Sequence, residues 1–310
     1  MTLQQLRCLC EVAAQDLNLS RTARVMHTSQ PAITKMIRAL ESELDVQLLV
    51  RAGPRIVAMT DEGQQVLIFA KQVMQDVRNL RLAASDTRNS RKGALRIGTT
   101  NLQARYALLE AIRRFVAKYD DVDLTLSQGT PAEIAGWVSA GDVDIGISTV
   151  PSAIPTNIVK LKAYPISRCI IAPWGHPILG HKRPTLAQVA RHRLVAYDNQ
   201  LDTGAVVRKA FEAAKITPRI MLRTADADLL KTYVAAGLGI AVIQTMALDA
   251  TRDHALCGID ASHLFPASTA WITFRRDQYL RRFMYDFIEL VAPQWASKEI
   301  NLVRSRQPNE

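Results

Sequence analysis

The stretch from Ser20 to Leu44, SRTARVMHTSQPAITKMIRALESEL, constrains this chain more than any other, because it reads as two short helices joined by a tight turn. Ser20 is the expected N-cap of the first, which turns Ala23 and Met26 inward and breaks at His27-Thr28. The second starts more sharply, with Ser29 where an N-cap belongs and Pro31 in the first turn, where its missing N–H costs nothing. Ile33, Ile37, Leu40 and Leu44 then form one apolar stripe. The opposite face carries Gln30, Thr34, Lys35 and Arg38: an amide suited to adenine, a small hydroxyl, and two cations for phosphate or guanine. Such a pair docks as a helix-turn-helix, the N-terminal residues of the second helix meeting base edges while the first crosses the backbone.

The surrounding residues extend this module. Residues 3–14 predict a helix with Leu3, Leu6, Leu9 or Cys10, and Ala13 on one side, able to pack on the pair. After Leu44, DVQLLVRAGPRIVAMT has two apolar runs flanking Ala52-Gly53-Pro54, the pattern of a β-hairpin wing. Arg51 and Arg55 flank its turn and can reach phosphate. Ser29, Gln30, Pro31, Thr34, Lys35, Arg38, Arg51 and Arg55 are therefore the expected DNA contacts. From Asp61 to about Arg88 runs the longest predicted helix, with Val66, Phe69 or Ala70, Val73, Val77, Leu80 and Ala84 near a 3.5-residue spacing. A helix that long beside a small module is poorly buried alone, so it is expected to be a dimerisation arm, which would pair two reading helices on a partly palindromic site.

Beyond the polar linker ASDTRNSRKG the pattern changes to α/β. Strands are expected at 94–100, 122–128 and 143–149, with helices Ala104–Tyr119 and 131–140 between them; Leu108, Ile112, Phe115 and Val116 face inward. This alternation implies a parallel sheet covered by helices. Strands at about 166–172, 194–197, 219–223 and 240–243, alternating with helices at about 204–214 and 226–236, supply a second sheet, and WITF (271–274) and a helix at 279–290 close the chain. Two lobes with a cleft between them follow. The expected domains are a winged helix-turn-helix at 1–60, a linker and dimerisation helix at 61–92, and a two-lobed α/β effector region at 93–310.

Composition narrows the class. No apolar run approaches the roughly 20 residues that span a bilayer, and Met1 leads straight into an amphipathic helix without a secretory signal, so a cytoplasmic location is expected. A net charge of +10 suits a polyanionic partner, yet residues 1–92 hold thirteen Lys and Arg against nine Asp and Glu, so charge alone does not locate the DNA site. Cys8, Cys10, Cys169 and Cys257 lack metal spacing, as do the six histidines, and no nucleophile elbow or phosphate loop occurs. Neither an enzyme nor a metal or cofactor is expected.

Ligands of open α/β sheets gather outside the carboxyl ends of strands. Those ends are Thr99-Thr100-Asn101 before Gln103, then Ser148-Thr149, then the loop Asp198–Gly204. Their hydroxyls and amides can bind a small oxyanion beside helix N-termini, although the same residue types also serve as caps.

With these parts in this order, the chain resembles the LysR-type transcriptional regulators over nearly its whole length. The runs LQQLR, TSQPAITKMIRALESEL, TTNLQARYAL (99–108), DADLLKTYVAAGLGIAVI (226–243) and FRRDQYLRRFMYDFI (274–288) look like the CysB and Cbl branch. The resemblance implies a periplasmic-binding-protein-like effector domain, a homotetramer built from homodimers, promoter DNA and RNA polymerase as partners, and control of sulfur assimilation or sulfonate use, with sulfate, a sulfonate or an acetylserine-like molecule as effector. It places an anion pocket at positions matching Thr100, Gln103 and Thr149. Two positions depart from that pattern: Leu102 stands where a threonine is expected, and Asp202 falls at another, with Thr203 beside it. Asp202 would repel a dianion unless neutralised, or would cap the following helix. The expected effector is thus larger than bare sulfate or carries an amine. The competing reading, a solute-binding protein for a small anion, fits residues 93–310 but not the first 60.

Overall fold

In the computed structural model, which describes residues 1–53, 55–88, 92–150, 154–199 and 201–305 apart from the side chains of residues 55, 85, 87 and 88, the chain divides into two compact units. The first is Met1–Arg88 with Asp277–Tyr279; the second is the remainder.

The first unit begins with α1 (Leu3–Ala14), opened by a reciprocal capping box between Thr2 and Gln5. Helix α2 is Leu19–Val25, and its cap is Asn18 rather than the expected Ser20: the Asn18 side chain accepts from Arg21 N at 2.9 Å. A residue in left-handed conformation, His27 at φ 51°, turns the chain into α3 (Gln30–Leu44), whose cap is Ser29 with Pro31 in the first turn. Leu6, Leu9, Val12, Ala23, Ile33, Ile37 and Leu40 make one core among the three helices. Leu44 is only partly buried, and Glu41 takes its place on the inward stripe. Its carboxylate accepts from Leu48 N (3.0 Å) and Leu49 N (3.3 Å), satisfying the backbone where the hairpin begins. Strands β1 (Leu49–Ala52) and β2 (Arg55–Met59) pair antiparallel as the wing; Pro54 of its turn lies outside the described residues.

Helix α4 (Asp61–Arg88) is continuous, so the expected linker is helical as far as Arg88, and residues 89–91 lie outside the described residues. A Cβ at Gly63 would stand 2.1 Å from the Leu48 carbonyl oxygen, and glycine is what lets α4 start against that strand. The anticipated seam divides between two faces. Val66, Leu67, Ala70 and Met74 pack on the unit's own core, whereas Phe69 and Leu80 are 72% and 71% exposed, with Ile68 and Val73 beside them.

In the second unit, β3 (Gly93–Thr99) leads into a π-helical turn at Gln103–Ala107 and then α5 (Leu109–Lys118), where one continuous helix was expected. The wide turn is closed by Leu108 N donating to Gln103 O at 3.0 Å. The phase shift puts Leu108 in the core and leaves Val116 exposed rather than inward. Next come β4 (Val122–Gln128), α6 (Pro131–Ala140), β5 (Ile145–Ser148) and β6 (Ile158–Ile166). The chain then crosses to a second lobe with β7 (Arg168–Pro173), α7 (Leu186–Ala190), β8 (Arg193–Tyr197), α8 (Asp202–Ala213), β9 (Arg219–Thr224), α9 (Ala227–Ala235), β10 (Ala241–Gln244) and β11 (Leu256–Asp260). It returns through β12 (Ser268–Arg275) to α10 (Arg282–Val291) and α11 (Ser297–Ser305).

Both lobes depart from the all-parallel expectation. Among the described residues the first sheet runs β4-β3-β5-β12-β6, with β3 parallel to β4 and β5, and β12 antiparallel to β5 and β6. The second lobe holds antiparallel β10-β7-β11 and parallel β8-β9, joined where Val195 N donates to Ile240 O at 2.9 Å. Strands β6 and β11 were not anticipated. Lys160, Lys162 and Pro165 interrupt the apolar run of β6, which a sheet edge tolerates because one side needs no partner. Among the described residues no helix is long and apolar enough to cross a membrane.

Candidate functional sites

The exposed side of α3 presents Gln30, Lys35 and Arg38, with Pro31, Thr34 and Ala39 completing a shallow concave surface. Ser29, which caps the helix, is exposed at its start. Ser20 Oγ donates to Gln30 Oε1 at 2.9 Å, so the residue expected to cap α2 instead orients the amide of the reading helix. A carbonyl oxygen has two lone pairs, and the Gln30 amide keeps both an acceptor site and its NH2 for a base edge. Thr34 Oγ1 donates to Gln30 O at 3.2 Å, leaving its methyl as the outward group, suited to a thymine methyl. Arg51 is drawn toward the helix: its Nη2 lies 3.6 Å from buried Glu41 Oε2, and it shares a second concave surface with Arg38 and Gln47. The Arg55 side chain is outside the described residues.

The second unit contains a cleft of about 380 Å³ at the carboxyl ends of its strands. From the first lobe Thr100, Asn101, Leu102, Gln103 and Thr149 line it; from the second, Tyr197, Leu201, Asp202, Asp226, Asp228 and Gln244. Gln103 is almost fully buried, and its Oε1 accepts from the Tyr164 hydroxyl, which fixes the amide. Leu102 turns an apolar side chain to the second lobe's core. Two expected contacts lie elsewhere. Thr99 is fully buried and donates to Ile147 O at 2.9 Å, stitching β3 to β5. Thr203 lies beneath the cleft and accepts from Arg168 Nε at 3.3 Å.

Asp202 does not cap α8; Leu201 holds that position, with no side-chain cap bond. Instead Asp202 Oδ2 accepts from Arg168 Nη2 at 2.6 Å, and Ser268 Oγ donates to its other oxygen at 3.0 Å. Arg168 is wholly buried, and burial pulls its pKa below the ordinary value, with Asp202 acting in the opposite direction. The anticipated repulsion of an anion by Asp202 is thereby offset by a cation immediately behind it. Gly204 lets this turn close, since a Cβ there would stand 2.0 Å from the Asp198 carbonyl oxygen.

The remaining carboxylates on the cleft are engaged too. Asp226 caps α9, accepting from Asp228 N and Leu229 N at 2.8 and 2.9 Å. Glu133 accepts from Thr130 N and Oγ1 at 2.8 and 2.7 Å. Asp228 accepts from Tyr106 Oη (2.5 Å) and pairs with Arg105 (2.9 Å) and Lys231 (3.0 Å). Burial opposes its charge, but these bonds hold its pKa below the ordinary carboxylate value; for Lys231 burial likewise opposes the charge, and its hydrogen bonds to Tyr106, Asp228 and Asp253 raise its pKa despite that. An effector amine would therefore find every described carboxylate of the cleft already bonded, which removes the physical argument for an amine.

Two cleft-lining polar atoms stand apart. Tyr197 Oη and Gln244 Oε1 are buried with no hydrogen-bond partner among the described residues. They, together with Arg168, Tyr106 and Lys231, were not picked out from sequence. For Arg168 a signal exists: a charge heading the apolar run Cys169–Ala172 needs a buried partner. Cys169 itself is buried, and burial pushes its thiol up to about 11, so it is no nucleophile at neutral pH.

Comparison with known proteins agrees with this division. Residues 3–64 match the bacterial regulatory helix-turn-helix protein model of the lysR family, and residues 88–296 match the LysR substrate binding domain. The chain is 37% identical over 300 residues to the HTH-type transcriptional regulator SsuR of Burkholderia cenocepacia, covering 97% of each. It is 36% identical over 293 residues to the regulator CysB of Haemophilus influenzae, covering 94% of this chain and 90% of that one. Among solved structures, the cofactor-binding domain of the Cbl transcriptional regulator superposes with a TM-score of 0.65 at 31% identity, covering 69% of this chain and 95% of that one.

Proposed function

The chain belongs to the LysR family of DNA-binding transcriptional regulators, and from that premise we propose that it controls genes of sulfur assimilation or sulfonate use in response to a small anion held in the cleft. It is a regulator and not an enzyme. In this reading Gln30 and Thr34 select bases while Lys35 and Arg38 hold phosphate or guanine, with Arg51 and Arg55 of the wing contributing along the backbone. Phe69, Val73 and Leu80 of α4 form the face through which two chains pair, giving a dimer and then a tetramer. Bound at the promoter, the assembly acts on RNA polymerase.

The observation that carries the reading is the convergence of Thr100, Gln103 and Thr149 on one cleft, positions that match the anion pocket of the CysB and Cbl branch. The effector is an oxyanion of the sulfate, sulfonate or acetylserine type. A shift from sulfate toward a larger molecule is supported by Leu102, which replaces a hydroxyl by an apolar wall and removes a bond worth about 1 kcal/mol. Calorimetry of the chain with sulfate, a C2 sulfonate and an acetylated serine tests the effector, alongside a gel shift on sulfur-gene promoters with salt titration. Failure of all three to bind, or failure to shift those promoters, overturns the proposal.

A further inference from the structure

The sequence directs attention to the first lobe of the cleft, where the anion pocket is expected, yet the second lobe supplies the polar atoms still lacking partners. Tyr197 ends β8 and Gln244 ends β10, neighbouring strands that run in the same direction from the Leu194 to Ile240 bridge. Both therefore reach the carboxyl edge of the second sheet, the side on which open α/β sheets take ligands. Tyr197 is 4% exposed, and its hydroxyl and Gln244 Oε1 are each buried without a hydrogen-bond partner among the described residues. Leaving one such group unserved is costly, whereas the carboxylates around them, Asp202, Asp226 and Asp228, are all bonded. Unsatisfied atoms confined to one wall of a ligand cleft mark what the ligand must bring.

We propose that Tyr197 and Gln244 form a second half-site that reads a neutral hydroxyl or amide on the tail of the effector, while Thr100, Gln103 and Thr149 hold its oxyanion head. A tyrosine hydroxyl donates or accepts and a side-chain carbonyl accepts, so the complementary tail both accepts and donates. The ligand class is a small organic oxyanion with a polar tail, and bare sulfate leaves the second half-site unfilled. This rests on the cleft being the effector site.

The test uses the full chain, with ethanesulfonate and 2-hydroxyethanesulfonate as matched probes in calorimetry. Wild type should bind the hydroxylated probe about fivefold more tightly, the worth of one net hydrogen bond. In Tyr197→Phe and Gln244→Met that preference should fall toward unity, while Thr100→Ala weakens both probes alike. A ligand-free melt gives an independent readout: Tyr197→Phe removes a desolvated hydroxyl and should raise the melting temperature. A preference unchanged in both variants, or absent in wild type while Thr100→Ala still weakens binding, overturns the half-site; so does a lower melting temperature for Tyr197→Phe. No binding of either probe, or binding indifferent to Thr100→Ala, instead overturns the reading of the cleft.

Discussion

Arg168, with no exposed surface, donates to Asp202 Oδ2 at 2.6 Å, and the same guanidinium reaches Thr203, Ser268 and the Pro266 carbonyl. These partners stand where the chain crosses between lobes, at the heads of β7 and β12 and of α8. Removing the carboxylate leaves a buried cation with neutral partners only. Asp202→Thr should therefore cost about 3 kcal/mol in urea unfolding, the lower end for a broken buried pair because Asp202 keeps some exposure. Arg168→Met combined with Asp202→Thr should cost less than the sum of the two by at least about 1 kcal/mol. Simple additivity would mean the pair is not coupled.

On DNA, Gln30→Ala should relax preference at one base pair, and Ser20→Ala should do so more weakly, since it frees the amide without removing it. Lys35→Ala should weaken binding to all sequences about equally and lower the salt slope by about 1. Fluorescence anisotropy on operator variants at several salt concentrations separates these outcomes. Equal, sequence-independent losses for Gln30→Ala and Lys35→Ala would mean the base-reading role has been given to the wrong residue.

The two faces of α4 predict opposite phenotypes. Leu80→Glu, at a side chain 71% exposed, should leave the fold intact and reduce self-association in sedimentation. Ala70→Glu, at 1% exposure, should unfold the first unit. Wild-type melting should also rise with chain concentration, because association favours the folded state by mass action. A Leu80→Glu chain that sediments like wild type would move the interface elsewhere.

His176 introduces a pH dependence. Its Nδ1 accepts from Ile178 N at 3.3 Å, and its ring lies 4.7 Å from that of His192. Burial first and His192 second lower its pKa from 6.5. The folded state thus binds this proton less readily than the unfolded chain, so the contribution is present above 6.5 and is lost as pH falls through the folded value. Melting temperature should drop between about pH 7.5 and pH 5.5, and His176→Asn, which retains an acceptor, should flatten that drop. An identical drop in the variant would assign it to other groups.

Much of this was legible in the sequence. Ser29, Pro31 and the spacing of Ile33, Ile37 and Leu40 are local signals, and local physics decides a helix of that kind. Strand ends carrying Thr100 and Thr149 were readable for the same reason. What escaped depends on residues far apart in sequence. Ser20 reads as a cap until Gln30 is seen beside it, and Glu41 reads as a surface charge until two backbone N–H groups 7 and 8 residues on are seen to need it. Strand β6 has edge chemistry, which imitates a loop. Tyr197 and Gln244 give no pattern at all, because they are distinguished by bonds they lack.

The wide turn at Gln103–Ala107 amounts to one residue more than a regular helix would use over the same path. Deleting a residue there would restore ordinary α-helical hydrogen bonding and rotate everything after it by about 100°, turning Leu108 and Phe115 out of the core or Gln103 away from Tyr164. Ala104 and Ala107 can change type more readily than either can be lost. In this short segment the quantity that cannot drift is length, and an alignment gap falling there would signal a differently built cleft even where the flanking residues agree.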